Sequence, residues 1–245
     1  MFQNIGEIAL LFWRTLCALP FAWRQRQKVY DQFFEIGNAS LLMVCVLSFF
    51  IGAVIALQTG PVLVERSLAS AVGGIVGISI AKELAPVMMA ILIAGRIGSA
   101  MAAEIGSMRV YQEIDALRTM NINPIHYLVL PRMLAIAIAL PLLVVFAIVV
   151  GWFGGACIAE ANNRIGVPFQ AFFSGLRDIV DLKDVANGVF KSFCFALIIG
   201  SVSCHQGLAT IGGPRGIGRS VTKAVVNSIV LIVIFDYILT RFLLK

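Results

Sequence analysis

Ionisable side chains inside apolar stretches are the residues of this sequence whose types could do chemistry. Lys82 and Glu83 stand side by side just before Pro86, and Arg96 lies within the apolar run that follows. A charge at membrane depth is costly, so such groups usually face one another or a water-filled cavity. We therefore predict that Lys82, Glu83 and Arg96 line a hydrated cavity. The alternative for Lys82 and Glu83 is that they only mark the membrane boundary.

Other charged residues in apolar runs allow more than one role. Arg96 could extend toward the cytoplasm or pair with Glu104, although a helix places residues eight positions apart about two turns from each other. Asp236, in VLIVIFDYILT, could pair with Lys191 or face the cavity. We favour the pair for Asp236 and leave the two roles of Arg96 open.

The motifs of catalysis are missing or incomplete. Residues 213–220, GPRGIGRS, differ from the phosphate-binding loop G-x-x-x-x-G-K-[ST] by Arg219, and an apolar run stands where a strand should precede them, so a flexible cytoplasmic turn is favoured. His126 and His205 stand alone, and the five cysteines show no Cys-x-x-Cys spacing. No serine occupies a G-x-S-x-G turn. We expect no catalytic residue, no metal site and no cofactor bound by this chain.

Membrane helices must position these residues. Of 245 residues, 60% are hydrophobic and 13% are charged, unlike an ordinary soluble domain. The net charge of +6 suits an anionic lipid surface, and no basic cluster with interleaved aromatic residues suggests nucleic acid. We predict one all-α integral membrane domain, residues 1–245. Its spans are predicted at residues 38–57, 83–103, 133–159, 185–204 and 221–240.

Three further segments are predicted outside these spans. Residues 1–30 carry apolar side chains at helical spacing among basic ones, which predicts a helix in the membrane interface or, alternatively, a short buried helix. The glycine-rich residues 71–81 could form a re-entrant or outer-leaflet segment. The loop at residues 160–184 contains an apolar helical stripe that should rest on the outer face.

A charged amphipathic segment, residues 104–120, separates the second and third spans. We predict a single helix there, with Arg109 and Glu113 as an i,i+4 pair. The distribution of Lys and Arg places the N-terminus and this segment in the cytoplasm and the C-terminus outside. A polar helix between two spans suits contact with a soluble partner. The predicted contact residues are Glu104, Arg109, Glu113, Asp115 and Arg118.

Two long stretches resemble a known family. Residues 83–117, ELAPVMMAILIAGRIGSAMAAEIGSMRVYQEIDAL, look like the signature of the MlaE/Mce-type ABC transporter permeases, which move lipids across the bacterial envelope. Residues 207–240, GLATIGGPRGIGRSVTKAVVNSIVLIVIFDYILT, are similar to the C-terminal region of that family. The resemblance extends over nearly the whole chain from about Phe34 onward.

The resemblance implies a multi-pass permease subunit in the bacterial inner membrane. Its substrate would be phospholipid or a related lipid, moved to or from an extracytoplasmic Mce-domain protein. It also implies a homodimer and a cytoplasmic ABC ATPase that binds ATP and Mg, and it leaves room for a small cytoplasmic accessory subunit. Glu83 would lie in the lipid cavity. The alternatives are an ATP-independent lipid scramblase or secondary transporter, and a membrane scaffold.

Overall fold

The structure, a computed structural model, describes residues 2–243, apart from the side chains of residues 2–5 and 22–24. This part of the chain is almost entirely helical and contains no β-strand, which confirms the all-α fold class. In chain order the helices are α1 (Phe2–Cys17), α2 (Arg26–Glu65), α3 (Val72–Ser79), α4 (Ala85–Ile93), α5 (Ser99–Val110), α6 (Glu113–Thr119), α7 (Leu130–Ala161), α8 (Phe169–Ile179), α9 (Leu182–Leu208) and α10 (Gly213–Leu243).

Five helical stretches of the described chain are long and apolar enough to cross a membrane, which confirms the number of predicted spans. Each stretch is longer than its predicted span. Residues flanking the apolar segments include Arg, Lys, Gln and Glu, which are good helix formers, so the helix continues where the hydropathy falls. The stretches are Arg26–Glu65, Ala69–Val110, Ile125–Ala161, Leu182–Leu208 and Gly213–Leu243.

The second stretch is one continuous helical run that includes two π-helical turns, Ile80–Leu84 and Ala94–Gly98. Residues 71–81 are therefore the beginning of the span and not a separate re-entrant segment. Their glycines allow close packing and do not break the helix here. A Cβ atom at Gly73 would overlap the carbonyl oxygen of Phe172 in α8.

Proline accounts for two of the π-helical turns. Pro86 follows the turn Ile80–Leu84 by two residues, and Pro131 follows the turn Ile125–Val129 by the same spacing. A proline has no N–H to donate, and its ring crowds the carbonyl four residues earlier. A wider turn before the proline relieves that crowding. No proline follows the turn Ala94–Gly98 at this spacing.

The N-terminal region is not one helix over residues 1–30. The helix α1 ends at Cys17, and a 3-10 segment, Leu19–Gln25, with Pro20 in its first turn separates it from α2. Proline at this place interrupts the helical hydrogen bonds. Residues 26–30 belong to the first spanning stretch. Met1, and the side chains of residues 2–5 and 22–24, lie outside the described part.

The predicted helix over residues 104–120 is wrong as a single element. The helix α5 ends at Val110, and Gln112 adopts a left-handed conformation with φ of 62° before α6 begins. The helix α6 closes with Asn121 at φ of 61°, and the N–H of Ile122 donates to the carbonyl of Leu117. This pattern is a Schellman C-cap, in which asparagine tolerates the left-handed position.

The loop at residues 160–184 contains the predicted helix as α8. Phe172 and Leu176 of its apolar stripe are buried, and α8 packs against α3. The described chain forms two compact units. The first comprises Met1–Asn38, Ala90–Leu140 and Phe193–Lys245, and the second comprises Ala39–Met89 and Pro141–Ser192. The prediction of a single domain stays a prediction.

Candidate functional site

Two ion pairs join the second and fourth spanning stretches within the second unit. The Lys82 ammonium lies 2.8 Å from an oxygen of Asp184, and Lys191 donates to Glu83 over 2.8 Å. Lys82 and Glu83 are both part of the π-helical turn Ile80–Leu84. Lys82 and Glu83, which are neighbours in the sequence, therefore each pair with a residue of α9. We refer to these four residues as the ion-pair cluster.

A close helix crossing brings the ion-pair cluster together. Gly188 lies between Asp184 and Lys191 on α9, and a Cβ atom there would overlap the carbonyl oxygen of Ala81. It would also lie 3.3 Å from Cγ of Pro86. Asp184 and Lys191 are seven residues apart, which puts them on one helix face about two turns from each other. Their side chains therefore flank the crossing point on either side.

The two partners of one pair differ in burial. Lys191 is only 2% exposed, whereas the side chain of Glu83 keeps 42% of its exposed surface. An ammonium group buried without a counter-charge is strongly unfavourable, so Glu83 stabilises the charged form of Lys191.

Arg96 does not belong to this cluster. It lies in the π-helical turn Ala94–Gly98 and is part of the first unit, where its side chain is exposed. Glu104, the partner that the sequence allowed for Arg96, instead accepts a hydrogen bond from Arg132 over 2.9 Å. Arg132 also donates to the carbonyl of Leu128. The prediction for Asp236 stays a prediction.

A second group of charges surrounds α6 in the first unit. Arg109 donates to Asp115 over 2.7 Å, and Arg118 lies 3.5 Å from the same carboxylate. The predicted pair of Arg109 with Glu113 is wrong, because the left-handed Gln112 ends the helix between them and removes the i,i+4 geometry. Glu113 is exposed at the first turn of α6.

One apolar side chain anchors α6 to the unit. Ile114 is fully buried, while Glu113, Asp115 and Arg118 are exposed. The helix also packs against α5. This short helix is therefore fixed in position through Ile114 and keeps its charged residues exposed. We refer to Glu113, Asp115 and Arg118 as the charged face of α6.

The sequence analysis did not predict the observed ion pairs of Asp184, Lys191 and Arg132. A usable signal existed for two of them. Asp184 and Lys191 stand seven residues apart with Gly188 between, a spacing that places two charges and a small residue on one helix face. For Arg132 no local spacing pointed to Glu104, which precedes it by 28 residues.

The residues 213–220 that resemble a phosphate-binding loop form the first turns of α10 and are not a flexible turn. The backbone enters the helix through Gly212 and Gly213, with φ values of 91° and 69°. The helix begins at Gly213, so the backbone amides of the following residues take part in helical hydrogen bonding after the first turn. They cannot wrap around a phosphate as the loop motif does.

The fold and these charged groups define a multi-span helical membrane protein with the organisation of a transport permease. Comparison with known proteins agrees with this class: the model of the family Permease MlaE matches residues 29–242. This match extends over most of the chain. The chain belongs to the MlaE permease family.

Individual relatives include probable ABC transporter permeases. The chain is 35% identical over 243 residues to a probable ABC transporter permease protein of Rickettsia typhi, covering 99% of this chain and 93% of the relative. It is 37% identical over 215 residues to one of Synechocystis, covering 88% and 81%. It is 34% identical over 220 residues to the chloroplastic protein TRIGALACTOSYLDIACYLGLYCEROL 1 of Arabidopsis thaliana, covering 90% and 61%. The chain is thus a permease subunit of the ABC transporter type.

Proposed function

We propose that this chain moves phospholipid or a related lipid between the bacterial inner membrane and an extracytoplasmic Mce-domain partner. A separate cytoplasmic ABC ATPase, which binds ATP and Mg, would supply the energy. The observation that carries the proposal is the charged face of α6, a short exposed helix between two spanning stretches. A permease without its own nucleotide site needs such a surface to receive movement from an ATPase.

The construction of α6 supports a role in coupling. A helix that transmits force must not yield at its base, and Ile114 provides a fully buried anchor. The charges are ordered along α6, with Glu113 and Asp115 near the helix N-terminus and Arg118 in the last turn. These signs agree with the helix dipole. Glu104 and Arg109 are assigned to the same contact.

The lipid path is assigned to the residues around Lys82 and Glu83 in the second unit. Glu83 is the strongest candidate, because its carboxylate is partly exposed although it pairs with a buried lysine. A zwitterionic or anionic lipid carries an ammonium or phosphate group near its glycerol backbone. Such a headgroup could contact Glu83 or Lys82 while its acyl chains stay in apolar surroundings.

A second copy of the chain is the proposed permease partner. The helix α10 exposes apolar side chains at helical spacing, including Val226, Val230, Val233 and Tyr237. Such a stripe suits either lipid or the same stripe of another copy. A homodimer would present two α6 helices to two ATPase subunits. A small cytoplasmic accessory subunit would then bind the ATPase side of the assembly.

An ATP-independent scramblase or secondary transporter is the second candidate. The observation that favours it is the presence of charged residues in both π-helical turns of the stretch Ala69–Val110, since ionisable residues within a membrane span commonly mark substrate or ion sites. Co-purification with an ATPase separates the two functions. Retention of an ATPase in stable stoichiometry supports the ABC proposal, and lipid transport by the chain alone supports the second candidate.

The decisive test of coupling is Glu113→Lys. This substitution leaves the Arg109, Asp115 and Arg118 contacts in place and reverses one exposed charge. Like charges that face each other across an interface cost several kcal/mol. Lipid-stimulated ATP hydrolysis and transport should therefore fall at least about tenfold. Membrane insertion should not change.

The matched control is Glu160→Lys, which reverses another exposed glutamate, near the end of α7. It should leave hydrolysis and transport close to those of the unchanged chain. Normal lipid-stimulated hydrolysis in the Glu113→Lys complex would show that the charged face of α6 does not contact the ATPase.

A further inference from the structure

A small polar pocket lies where the beginning of α2 meets the beginning of the third spanning stretch. Its volume is about 220 Å³. Its lining includes Lys28, Asp31 and Gln32 of α2 and, from the other stretch, Tyr127 and Arg132; we call it the α2 pocket. All of its lining residues belong to the first unit. Pockets for drug-sized ligands measure about 300–1,000 Å³, so this one suits a smaller polar group.

The α2 pocket contains charges of both signs. Lys28 and Arg132 are basic, and Asp31 is acidic. In the described part of the chain, Lys28 has no carboxylate and Asp31 has no basic group within ion-pair distance. Residues three positions apart lie on one face of a helix, so Lys28 and Asp31 are neighbours on α2. A ligand with one positive and one negative group would find a counter-charge for each.

The guanidinium of Arg132 keeps hydrogen-bond donors for a ligand. It donates to Glu104 over 2.9 Å and to the carbonyl of Leu128 over 3.2 Å. These two bonds use two of its five N–H donors. Its Nε–H is buried and has no hydrogen-bond partner among the residues that the structure describes. A phosphate oxygen in the pocket would give this guanidinium a further acceptor.

The aromatic ring of the α2 pocket is already in use. The ammonium group of Lys28 lies over the ring of Tyr127, 2.9 Å from its centroid. Proteins bind quaternary ammonium groups such as choline through the faces of aromatic rings. Because Lys28 covers this ring, the pocket does not offer such a contact. The carboxylate of Asp31 instead suits a primary ammonium group, which has N–H donors.

The α2 pocket lies at the height of lipid headgroups. Arg132 directly precedes residues 133–159, the third predicted span. Near the pocket on α2, Tyr30 is 65% exposed and Phe34 is 59% exposed. Aromatic side chains are favoured at the boundary between membrane and water. A phospholipid in the leaflet on the side of α6 can therefore reach the pocket with its headgroup while its acyl chains stay in the bilayer.

We infer that the α2 pocket binds the headgroup of phosphatidylethanolamine. The phosphate would accept hydrogen bonds from Lys28 and Arg132, and the ammonium would donate to Asp31. Hydrogen bonds between charged groups are roughly twice as strong as neutral ones. Phosphatidylcholine has no N–H to donate to Asp31, and phosphatidylglycerol offers it only neutral hydroxyl groups. The match of both charges therefore selects phosphatidylethanolamine among these three.

This site is separate from the sites assigned above. None of its lining residues belongs to the ion-pair cluster or to the charged face of α6. Binding here requires that the chain lies in a membrane and not that it transports lipid. A bound headgroup would connect the beginning of α2 to the beginning of the third spanning stretch.

Native mass spectrometry of the full-length chain measures the headgroup preference. The chain is extracted in detergent and mixed with equal amounts of phosphatidylethanolamine, phosphatidylglycerol and phosphatidylcholine of distinguishable mass. Phosphatidylethanolamine should be retained most strongly. Asp31→Asn should lower the ratio of retained phosphatidylethanolamine to phosphatidylcholine at least about tenfold, since a hydrogen bond to a charged group is lost. Asp31→Lys should shift the preference to phosphatidylglycerol.

Further variants separate the phosphate contact from the ammonium contact. Lys28→Gln should weaken retention of all three phospholipids about fivefold, since one basic residue near an anionic group has an effect of that size. Glu65→Gln and Arg26→Gln are the matched controls on α2, because they remove exposed charges that do not line the pocket. Both should keep the preference. Equal retention of the three lipids, or an unaltered preference in Asp31→Asn, would overturn the inference.

Thermal unfolding provides a second measurement. Phosphatidylethanolamine should raise the unfolding temperature of the unchanged chain and of Glu65→Gln more than that of Asp31→Asn, because a ligand stabilises the state that binds it. Soluble glycerophosphoethanolamine, which has the same headgroup without acyl chains, should have a much smaller effect. An equal effect at the same concentration would show that the pocket binds a free phosphoethanolamine group and not a lipid. Loss of the lipid preference when the ATPase binds would show that the pocket is a protein contact.

Discussion

Lys191 shows how one buried charge organises the residues around it. Its ammonium group is almost fully enclosed, and its bond to Glu83 compensates part of the cost of removing it from water. Glu83 remains partly exposed, with 42% of its side-chain surface accessible. A structural role and a role in lipid handling make different predictions for the exchange of these two charges.

We predict that exchanging the charges separates the two roles. Glu83→Lys alone places two ammonium groups together, and Lys191→Glu alone places two carboxylates together. Each single variant should lose about 3–5 kcal/mol of stability, the range for a buried ion pair that loses one partner. The double variant should recover most of that stability, measured by denaturation in detergent.

Transport by the same variants tests the lipid assignment. If Glu83 contacts headgroups, the double variant should remain strongly impaired in transport although it is stable. Glu83→Gln, which keeps the shape without the charge, should be impaired more mildly. Full recovery of transport in the double variant would mean that Glu83 has only a structural role.

At the scale of the element, Gly188 determines how closely α9 approaches the turn Ile80–Leu84. A methyl group at this position overlaps the backbone of Ala81, which cannot move as a flexible side chain can. The ion-pair cluster depends on that approach, because the 2.8 Å distances of Lys82 and Lys191 to their partners span the two helices. The packing and the electrostatics are therefore coupled.

We predict that Gly188→Ala destabilises the protein by about 2 kcal/mol, within the range for overpacking a close contact. Gly37→Ala is the matched control, since no heavy atom lies within 4 Å of a Cβ atom there. Alanine favours the helix over glycine, so this control should gain about 0.5–1 kcal/mol. Thermal unfolding of both variants in one detergent measures the difference. Equal stability of the two variants would show that α9 can shift freely at Gly188.

The two π-helical turns of the stretch Ala69–Val110 have a shared consequence at this scale. The charged residues before Glu104 in the stretch Ala69–Val110, namely Lys82, Glu83 and Arg96, all belong to such turns. A wider turn leaves backbone carbonyls less regularly bonded and changes the direction of side chains. Polar residues are more easily accommodated in such turns than in a regular apolar helix.

At the scale of the whole molecule, the orientation in the membrane is predicted from charge. By the positive-inside rule we predict that the N-terminus and the charged face of α6 lie in the cytoplasm. With five spans the C-terminus is then outside. The same orientation puts the start of α10, with Arg215, in the cytoplasm and α8, with Asp178, outside.

We predict that cysteine labelling reproduces this orientation. In a chain without its five native cysteines, Arg215→Cys should react with a membrane-impermeant reagent only from the cytoplasmic side. Asp178→Cys should react only from the outside. Both side chains are exposed, so labelling is limited by the membrane and not by burial. Reversed accessibility at either position would contradict the orientation and with it the assignment of α6 to the ATPase.

The sequence by itself determined the fold class, the number of spans and the family. Hydropathy is a local property, so five apolar stretches can be located without knowing what they contact. Each predicted span, such as residues 38–57, lies within a helix of the structure. The charged residues between the second and third spans were equally visible, because their types and order are local.

Only the tertiary structure decided which charges pair. Glu83 and Lys191 are 108 positions apart, and their contact depends on the helix crossing at Gly188. Glu104 pairs with Arg132 and Arg109 with Asp115, where local spacing suggested Arg96 and Glu113. Helical periodicity predicts neighbours only within one unbroken helix. The left-handed Gln112 interrupts that periodicity, and side chains from distant segments then become the nearest partners.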